Sequence, residues 1–240
     1  RSAQLLLAHA LKKDRLALLL DADRPLAEDE LAPFRALVRR RGAGEPVAYI
    51  LGEWEFYGLP FRVGPGVLVP RPETEGIVDA ARAAFAADTP LRFADLGAGS
   101  GCLAVTLAAQ FPAARGVAVD ISPDALALAR ANAAANNVAD RIDFLQADFA
   151  RLPDEPGLED ACCDLVVANP PYVTEDEYAA LSREVANFEP RGALLAGPDG
   201  LDAVRALLPQ ARRLLRPGGL FLMEIGYRQG DAASALTTAA

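Results

Sequence analysis

Two short stretches carry groups that could do chemistry together. The first is Asn169-Pro170-Pro171-Tyr172, which follows the apolar run CCDLVV at 162–167. A proline has no N–H for a strand ladder and restricts the residue before it, so a strand must stop here in a rigid bend. The bend presents an amide oxygen on Asn169 and a backbone carbonyl on Pro170. Such a pair can accept both N–H bonds of a planar amino group, whether an amide or an aromatic amine. The lone pair of that nitrogen is delocalised, so it reacts only when held pointing at an electrophile. Two fixed acceptors impose that direction, and the prolines keep them rigid at little entropic cost. Tyr172 can pack over the planar group. A purely structural proline turn would use the same residues, so the rest of the chain must decide.

The second stretch is Asp95-Leu96-Gly97-Ala98-Gly99-Ser100-Gly101, between an apolar run and a helical one. Glycines at a strand-to-helix turn let backbone approach a ligand closely. A dinucleotide fingerprint would need glycine at 97, 99 and 102, but position 102 is cysteine and the third glycine comes one residue early. A tight turn with close helix packing is the alternative. Asp120 ends the next apolar run, where a carboxylate can accept both hydroxyls of a ribose. That suits NAD as well as S-adenosylmethionine, and an acidic cap before the following helix would also account for it. Asp148-Phe149 closes the third run, where a carboxylate could take an adenine amino group and a ring could stack on the base. Loop chemistry explains that pair equally well.

The elements that must position these residues follow from periodicity. Apolar runs at 91–96, 116–119, 141–146, 163–168 and 219–225 alternate with helical stretches at 74–87, 101–110, 123–136 and 201–215. Ser122-Pro123-Asp124 supplies an N-cap, a first-turn proline and a first-turn acid in order. This alternation predicts an α/β fold, doubly wound around a mainly parallel sheet, with ligands beyond the carboxyl ends of the strands. Residues 2–41 have helical periodicity and predict a small helical module, with His9 on a helix face. The stretch 46–70 is rich in β-branched and aromatic residues punctuated by glycine and proline, which predicts one or two antiparallel hairpins.

Composition narrows the function classes. The 240 residues are 52% hydrophobic and carry a formal net charge of −9, with Arg39-Arg40-Arg41 and Arg212-Arg213 the only dense basic clusters. A protein that gains its affinity from phosphates would show a basic face, so nucleic-acid binding is not expected. No apolar run reaches membrane-spanning length. Cys102, Cys162 and Cys163 lack metal-ligand spacing and read as buried thiols in a reducing compartment, so no metal is expected and the cytoplasm is the expected location.

The glycine turn together with Asn-Pro-Pro-Tyr resembles the class I S-adenosylmethionine-dependent N-methyltransferases. A narrower match lies in Val69-Pro70-Arg71-Pro72-Glu73-Thr74-Glu75, preceded by Gly52-Glu53-Trp54-Glu55-Phe56-Tyr57-Gly58. Farther on come Phe188-Glu189-Pro190-Arg191-Gly192-Ala193-Leu194, Asp199-Gly200-Leu201 and Glu224-Ile225-Gly226. With the N-terminal helices, these make the chain similar to the peptide chain release factor glutamine N5-methyltransferases of the HemK type. The resemblance implies the class I methyltransferase fold, S-adenosylmethionine as cofactor and S-adenosylhomocysteine as product. It implies that Gly97, Ala98, Gly99, Ser100, Gly101, Asp120, Asp148, Phe149 and Asn169 contact the cofactor. Asn169, Pro170, Pro171 and Tyr172 would receive the substrate glutamine of a Gly-Gly-Gln loop, Asn169 and Pro170 being the catalytic pair.

The expected partner is a class 1 release factor, gripped by a helical recognition domain at 1–45 and acted on by a monomeric enzyme. A hairpin linker at 46–70 and a methyltransferase domain at 71–240 complete the expected division. The helical domain is expected to lack its start and the methyltransferase domain its terminal strand pair. Two rivals share parts of the pattern. A nucleic-acid adenine N6-methyltransferase would use the same Asn-Pro-Pro-Tyr clamp, and a non-catalytic nucleotide-binding module would have no need of it.

Overall fold

The computed structural model describes residues 2–21 and 23–239. The chain opens with α1 (Ser2–Leu11), α2 (Arg15–Leu20) and α3 (Glu28–Gly42). Asp14 caps α2 by accepting from the Ala17 N–H at 2.7 Å. Helix α3 begins on Glu28, Asp29 and Glu30 and ends on Arg39, Arg40 and Arg41, matching the helix dipole at both ends. Leu6 of α1 is buried against Val47 and Ile50 of a short helix, α4 (Val47–Leu51). The glycine and proline content of 46–70 hid that helix, because its five residues are too few to show a period. One hairpin follows, β1 (Glu53–Phe56) paired antiparallel with β2 (Leu59–Arg62). Its turn residues Tyr57 and Gly58 have φ of 52° and 75°, the backbone hand that matches strand twist in a two-residue loop. Phe56 and Phe61 meet edge to face at 6.1 Å and enter the main core.

A 3-10 turn at Pro72–Thr74 leads into α5 (Glu75–Ala84), β3 (Arg92–Leu96), α6 (Cys102–Gln110), β4 (Arg115–Asp120), α7 (Pro123–Ala135) and β5 (Ile142–Gln146). Then come β6 (Cys163–Ala168), the short helices α8 (Glu175–Ala179) and α9 (Arg183–Phe188), α10 (Asp202–Leu214), β7 (Leu215–Met223) and α11 (Gly230–Ala239). The five strands β3 to β7 form a parallel sheet in the order β5-β4-β3-β6-β7. The winding reverses between β3 and β6, which opens a crevice at their carboxyl ends.

Both faces of the sheet are covered, so its strands read as apolar runs without alternation. Phe93, Leu165 and Val167 pack with Val78 of α5 and Leu107 of α6 on one face. Ala94, Leu96, Val119 and Val166 pack with Leu207, Ala211 and Leu214 of α10 on the other. Strand β7 starts at Leu215, earlier than periodicity predicts, and contains Pro217. It lies at a sheet edge among the described residues, where a missing N–H leaves no partner short. Helices α8, α9 and α11 carry no clear apolar period and were not foreseen. Caps by Thr174 and Ser182 start α8 and α9, and an Arg41–Glu184 ion pair at 2.6 Å ties α9 to α3.

The hairpin is joined to the glycine turn through one fully buried side chain. Asn132 of α7 accepts from the Arg62 N–H at 2.8 Å and donates to the carbonyls of Arg62 and Ser100 at 3.0 and 2.8 Å. Asn132→Ala leaves three backbone groups short of partners, and should lower the unfolding free energy by about 2–4 kcal/mol in urea titration.

Candidate active site

A cavity of about 380 Å³ lies at the carboxyl ends of β3, β4 and β6, closed on its other sides by residues from 66–70 and 190–193. The glycine turn forms its floor. Gly97 and Gly99 adopt φ of 89° and 55°, which glycine takes without strain. The N–H groups of Gly97 and Ala98 both donate to the Val119 carbonyl at 2.9 Å, folding the turn back on β4. Gly97, Ala98, Gly99 and Ser100 all line the cavity. Gly101 does not. It precedes α6 at φ 78°, and a Cβ there would sit 2.9 Å from the Ala129 Cβ, so its role is to let α7 approach.

Two carboxylates face this floor. Asp120 accepts from the Gly99 N–H at 2.8 Å through Oδ2 and from the Ser122 N–H at 2.9 Å through Oδ1. Each oxygen keeps a further lone pair, enough for a vicinal diol. Asp95 is 1% exposed, and its Oδ2 accepts from the Ala104 N–H at 3.0 Å while its Oδ1 has no partner. Burial pushes its carboxyl up to about 7, helped by repulsion from Asp120 and opposed by the Ala104 N–H. Spacing alone assigns Asp95 no role, because its free oxygen depends on how α6 leaves the turn. The neighbouring Cys102 thiol is pushed up to about 12, first by burial and then by Asp95, which makes it a poor nucleophile.

Phe149 lines the cavity, with its ring beside Gly97. Asp148 lies outside the lining and caps a 3-10 turn by accepting from the Ala150 N–H at 2.9 Å.

On the opposite rim, Asn169, Pro170 and Pro171 line the cavity. Asn169 Nδ2 donates to Thr74 Oγ1 at 2.9 Å, and the Thr74 hydroxyl donates to Glu224 Oε2 at 2.6 Å. Tyr172 lies outside the lining, and its hydroxyl donates to Glu224 Oε1 at 3.0 Å. Burial and then the Glu224 charge push that phenol up to about 12. The Tyr172 carbonyl accepts from Gln229 Nε2 at 3.0 Å, which holds the backbone after the bend. Thr74, Glu224 and Gln229 were not singled out as site residues. Their only sequence signal is that Thr74 falls in the stretch Val69–Glu75 and Glu224 in Glu224–Gly226.

The cavity wall is clamped by a charge pair whose carboxylate is buried. Arg71 donates to Glu189 Oε1 at 2.5 Å, and the Val69 N–H donates to Oε2 at 3.3 Å. The Glu189 side chain is 1% exposed, so segments 66–70 and 190–193 are held together by a charge that water cannot reach. The charged residues that line the cavity, Asp95 and Asp120, are both acidic, which suits a ligand bearing a cation and a diol beside an apolar ring. A planar amino group fits the acceptors at the bend.

Residues 1–52 match the family described as PrmC N-terminal domain, and residues 93–192 the family described as Methyltransferase domain. The release factor glutamine methyltransferase of Nitratidesulfovibrio vulgaris is 46% identical, covering 98% of this chain and 79% of its own. That of Cereibacter sphaeroides is 47% identical, covering 100% of this chain and 83% of its own. Among solved structures, the ribosomal protein L11 methylase of Lactobacillus delbrueckii subsp. bulgaricus matches with a TM-score of 0.50 at 23% identity. It covers 75% of this chain and 74% of its own, and it bears on the fold alone, which is that of the class I methyltransferases. With relatives this similar along nearly its whole length, the chain belongs to the release factor glutamine methyltransferase family.

Proposed function

We propose that the protein uses S-adenosylmethionine to methylate N5 of the glutamine side chain in the Gly-Gly-Gln loop of class 1 peptide chain release factors. The observation that carries this reading is the acceptor bend of Asn169 and Pro170 on the rim of a cavity floored by the glycine turn. The lining fits the cofactor in three ways. The unpartnered Asp95 oxygen suits its ammonium group, Asp120 suits the ribose hydroxyls, and Phe149 with the exposed Ile121 suits the base. When bound, the cofactor supplies an electrophilic methyl group on a sulfonium.

The chain's own residues do the rest. Asn169 Oδ1 and the Pro170 carbonyl accept the two N–H bonds of the glutamine amide and orient its lone pair. They also polarise the amide as charge develops on its nitrogen. Proton loss follows methylation, because the alkylated nitrogen is acidic, so no side chain needs to act as a strong base. The helical module grips the release factor. The exposed Leu16, Leu19 and Leu20 on α2 support that role, since clustered exposed leucines favour a protein contact. The charge of −9, with Arg40 and Arg41 engaged by Glu45 and Glu184, favours a protein partner over nucleic acid. We take the enzyme to act as a monomer in the cytoplasm. Among the described residues no helix is long and apolar enough to cross a membrane.

Transfer of tritium from labelled S-adenosylmethionine tests the substrate. Label should enter purified release factor at glutamine and be absent from DNA and RNA, and labelling of nucleic acid alone would sink the proposal. In single turnover with cofactor saturating, Asn169→Ala should slow methylation by about 10²–10³ without a change in melting temperature. Asp95 gives a pH signature. Its carboxyl, pushed up to about 7, is largely neutral below that pH, whereas an ammonium-bearing ligand favours the ionised form. Affinity for S-adenosylhomocysteine should therefore rise with pH through about 7, by at most tenfold per unit, and Asp95→Asn should flatten the curve in calorimetry. For the helical module, the double variant Leu19→Glu with Leu20→Glu should lower kcat/KM on full-length release factor by about tenfold or more. Cofactor affinity should stay as in the wild type, since burying two charges at a protein contact is costly but remote from the cavity.

A further inference from the structure

An asparagine side chain can be turned end for end with little change in shape, so something must decide which end meets the substrate. The proposed clamp works only if Asn169 presents its oxygen. We infer that Thr74 and Glu224 are positioning residues that fix the direction of the Asn169 amide, an inference that rests on the functional reading above.

Glu224 accepts at both carboxylate oxygens, from the Thr74 hydroxyl at 2.6 Å and the Tyr172 hydroxyl at 3.0 Å. A hydroxyl has a single proton, and that of Thr74 is committed to Glu224. Thr74 Oγ1 then has only lone pairs to offer. The end of Asn169 that lies 2.9 Å from it must be the NH2 group. The oxygen is left facing the other way, and among the described residues no group donates to it. The carboxylate thus sets the polarity of a group it never touches, by way of one threonine.

The relay is anchored on three elements. Thr74 enters α5 and is 1% exposed. Asn169 follows β6 directly, and Glu224 follows β7 directly. Ala168 pairs with Met223 in the sheet, and the Glu224 N–H donates to the Ala168 carbonyl at 3.1 Å. The carboxylate is therefore fixed to the strand end that carries Asn169. A hydrogen-bonded chain held this way gives orientation without reaching the substrate.

Three single variants separate orientation from structure. Thr74→Val keeps the shape and removes the acceptor, so Asn169 can present either end. Glu224→Gln keeps the shape and adds a donor, which lets Thr74 donate to Asn169 and turn the NH2 group toward the substrate. Thr74→Ser keeps the relay. In single-turnover methylation of release factor with cofactor saturating, Thr74→Val and Glu224→Gln should be slowed by about tenfold to a hundredfold. Thr74→Ser should stay within about threefold of wild type. Thr74→Ser and Glu224→Gln should melt close to wild type. Thr74→Val should melt lower, because it leaves a Glu224 oxygen and the Asn169 NH2 short of partners. All three should bind S-adenosylhomocysteine within about threefold of wild type. The double variant Thr74→Val with Asn169→Ala should be no slower than Asn169→Ala alone, because the relay acts only through that amide. Wild-type rates for Thr74→Val and Glu224→Gln beside a slow Asn169→Ala would overturn this inference and leave the proposed function standing. Loss of ligand affinity in step with rate, or additive losses in the double variant, would also overturn it. A wild-type protein that transfers no methyl to release factor would overturn the proposed function, and the inference with it.

Discussion

A strand that reaches two prolines has no N–H left to give its neighbour, and the site is built around that stop. Strand β6 must leave the ladder after Ala168, while the adjacent chain continues one step farther to donate from Glu224. The mismatch turns Asn169 out over the crevice between β3 and β6 and brings the Glu224 carboxylate alongside it. Because β6 is buried on both faces, the stop is fixed to a closely packed strand and not to a free loop. An orienting site benefits from such packing, since small displacements of an acceptor cost much of its effect.

The second theme is negative charge held in a confined space. Asp95, Asp120, Glu189 and Glu224 all lie on or just behind the cavity wall, three of them matched by backbone or side-chain donors at both oxygens. Asp95 is the exception. One oxygen is satisfied and the other is empty, in a position where burial already opposes ionisation. A carboxylate in that state stores a demand for a cation, and the glycine turn leaves room for one to approach.

Ion pairs and a buried amide carry the outlying parts of the chain to the sheet. Arg41 reaches from α3 to Glu184, and Arg71 reaches from the segment before α5 to Glu189. Asn132 ties the hairpin to Ser100. The helices, the hairpin and the residues after the bend therefore share the same scaffold. A partner held on α1 to α3 would lie on an element linked, through α9, to the cavity wall.

What the sequence determined by itself is what depends on neighbours along the chain. Alternating apolar runs and helical periods determined the doubly wound sheet, because burial on both faces makes its central strands mostly apolar. The glycine turn, Asp120 and the Asn-Pro-Pro-Tyr bend were recognisable because each compresses its chemistry into a few adjacent residues. Short helices such as α4, α8 and α9 were not, since fewer than two turns carry no period. Only the tertiary structure decided which members of each motif face the cavity. Gly101 turned to face α7, Asp148 became a cap and Tyr172 pointed at Glu224, although their neighbours line the site. The partners of Asn169 were equally out of reach of spacing. Thr74 lies 95 residues before it, and Glu224 lies 52 after Tyr172, so a hydroxyl and a carboxylate became its neighbours only when the strand ends and the start of α5 met. Motifs are local because backbone stereochemistry is local; the direction of a side chain is settled by whatever the fold brings against it.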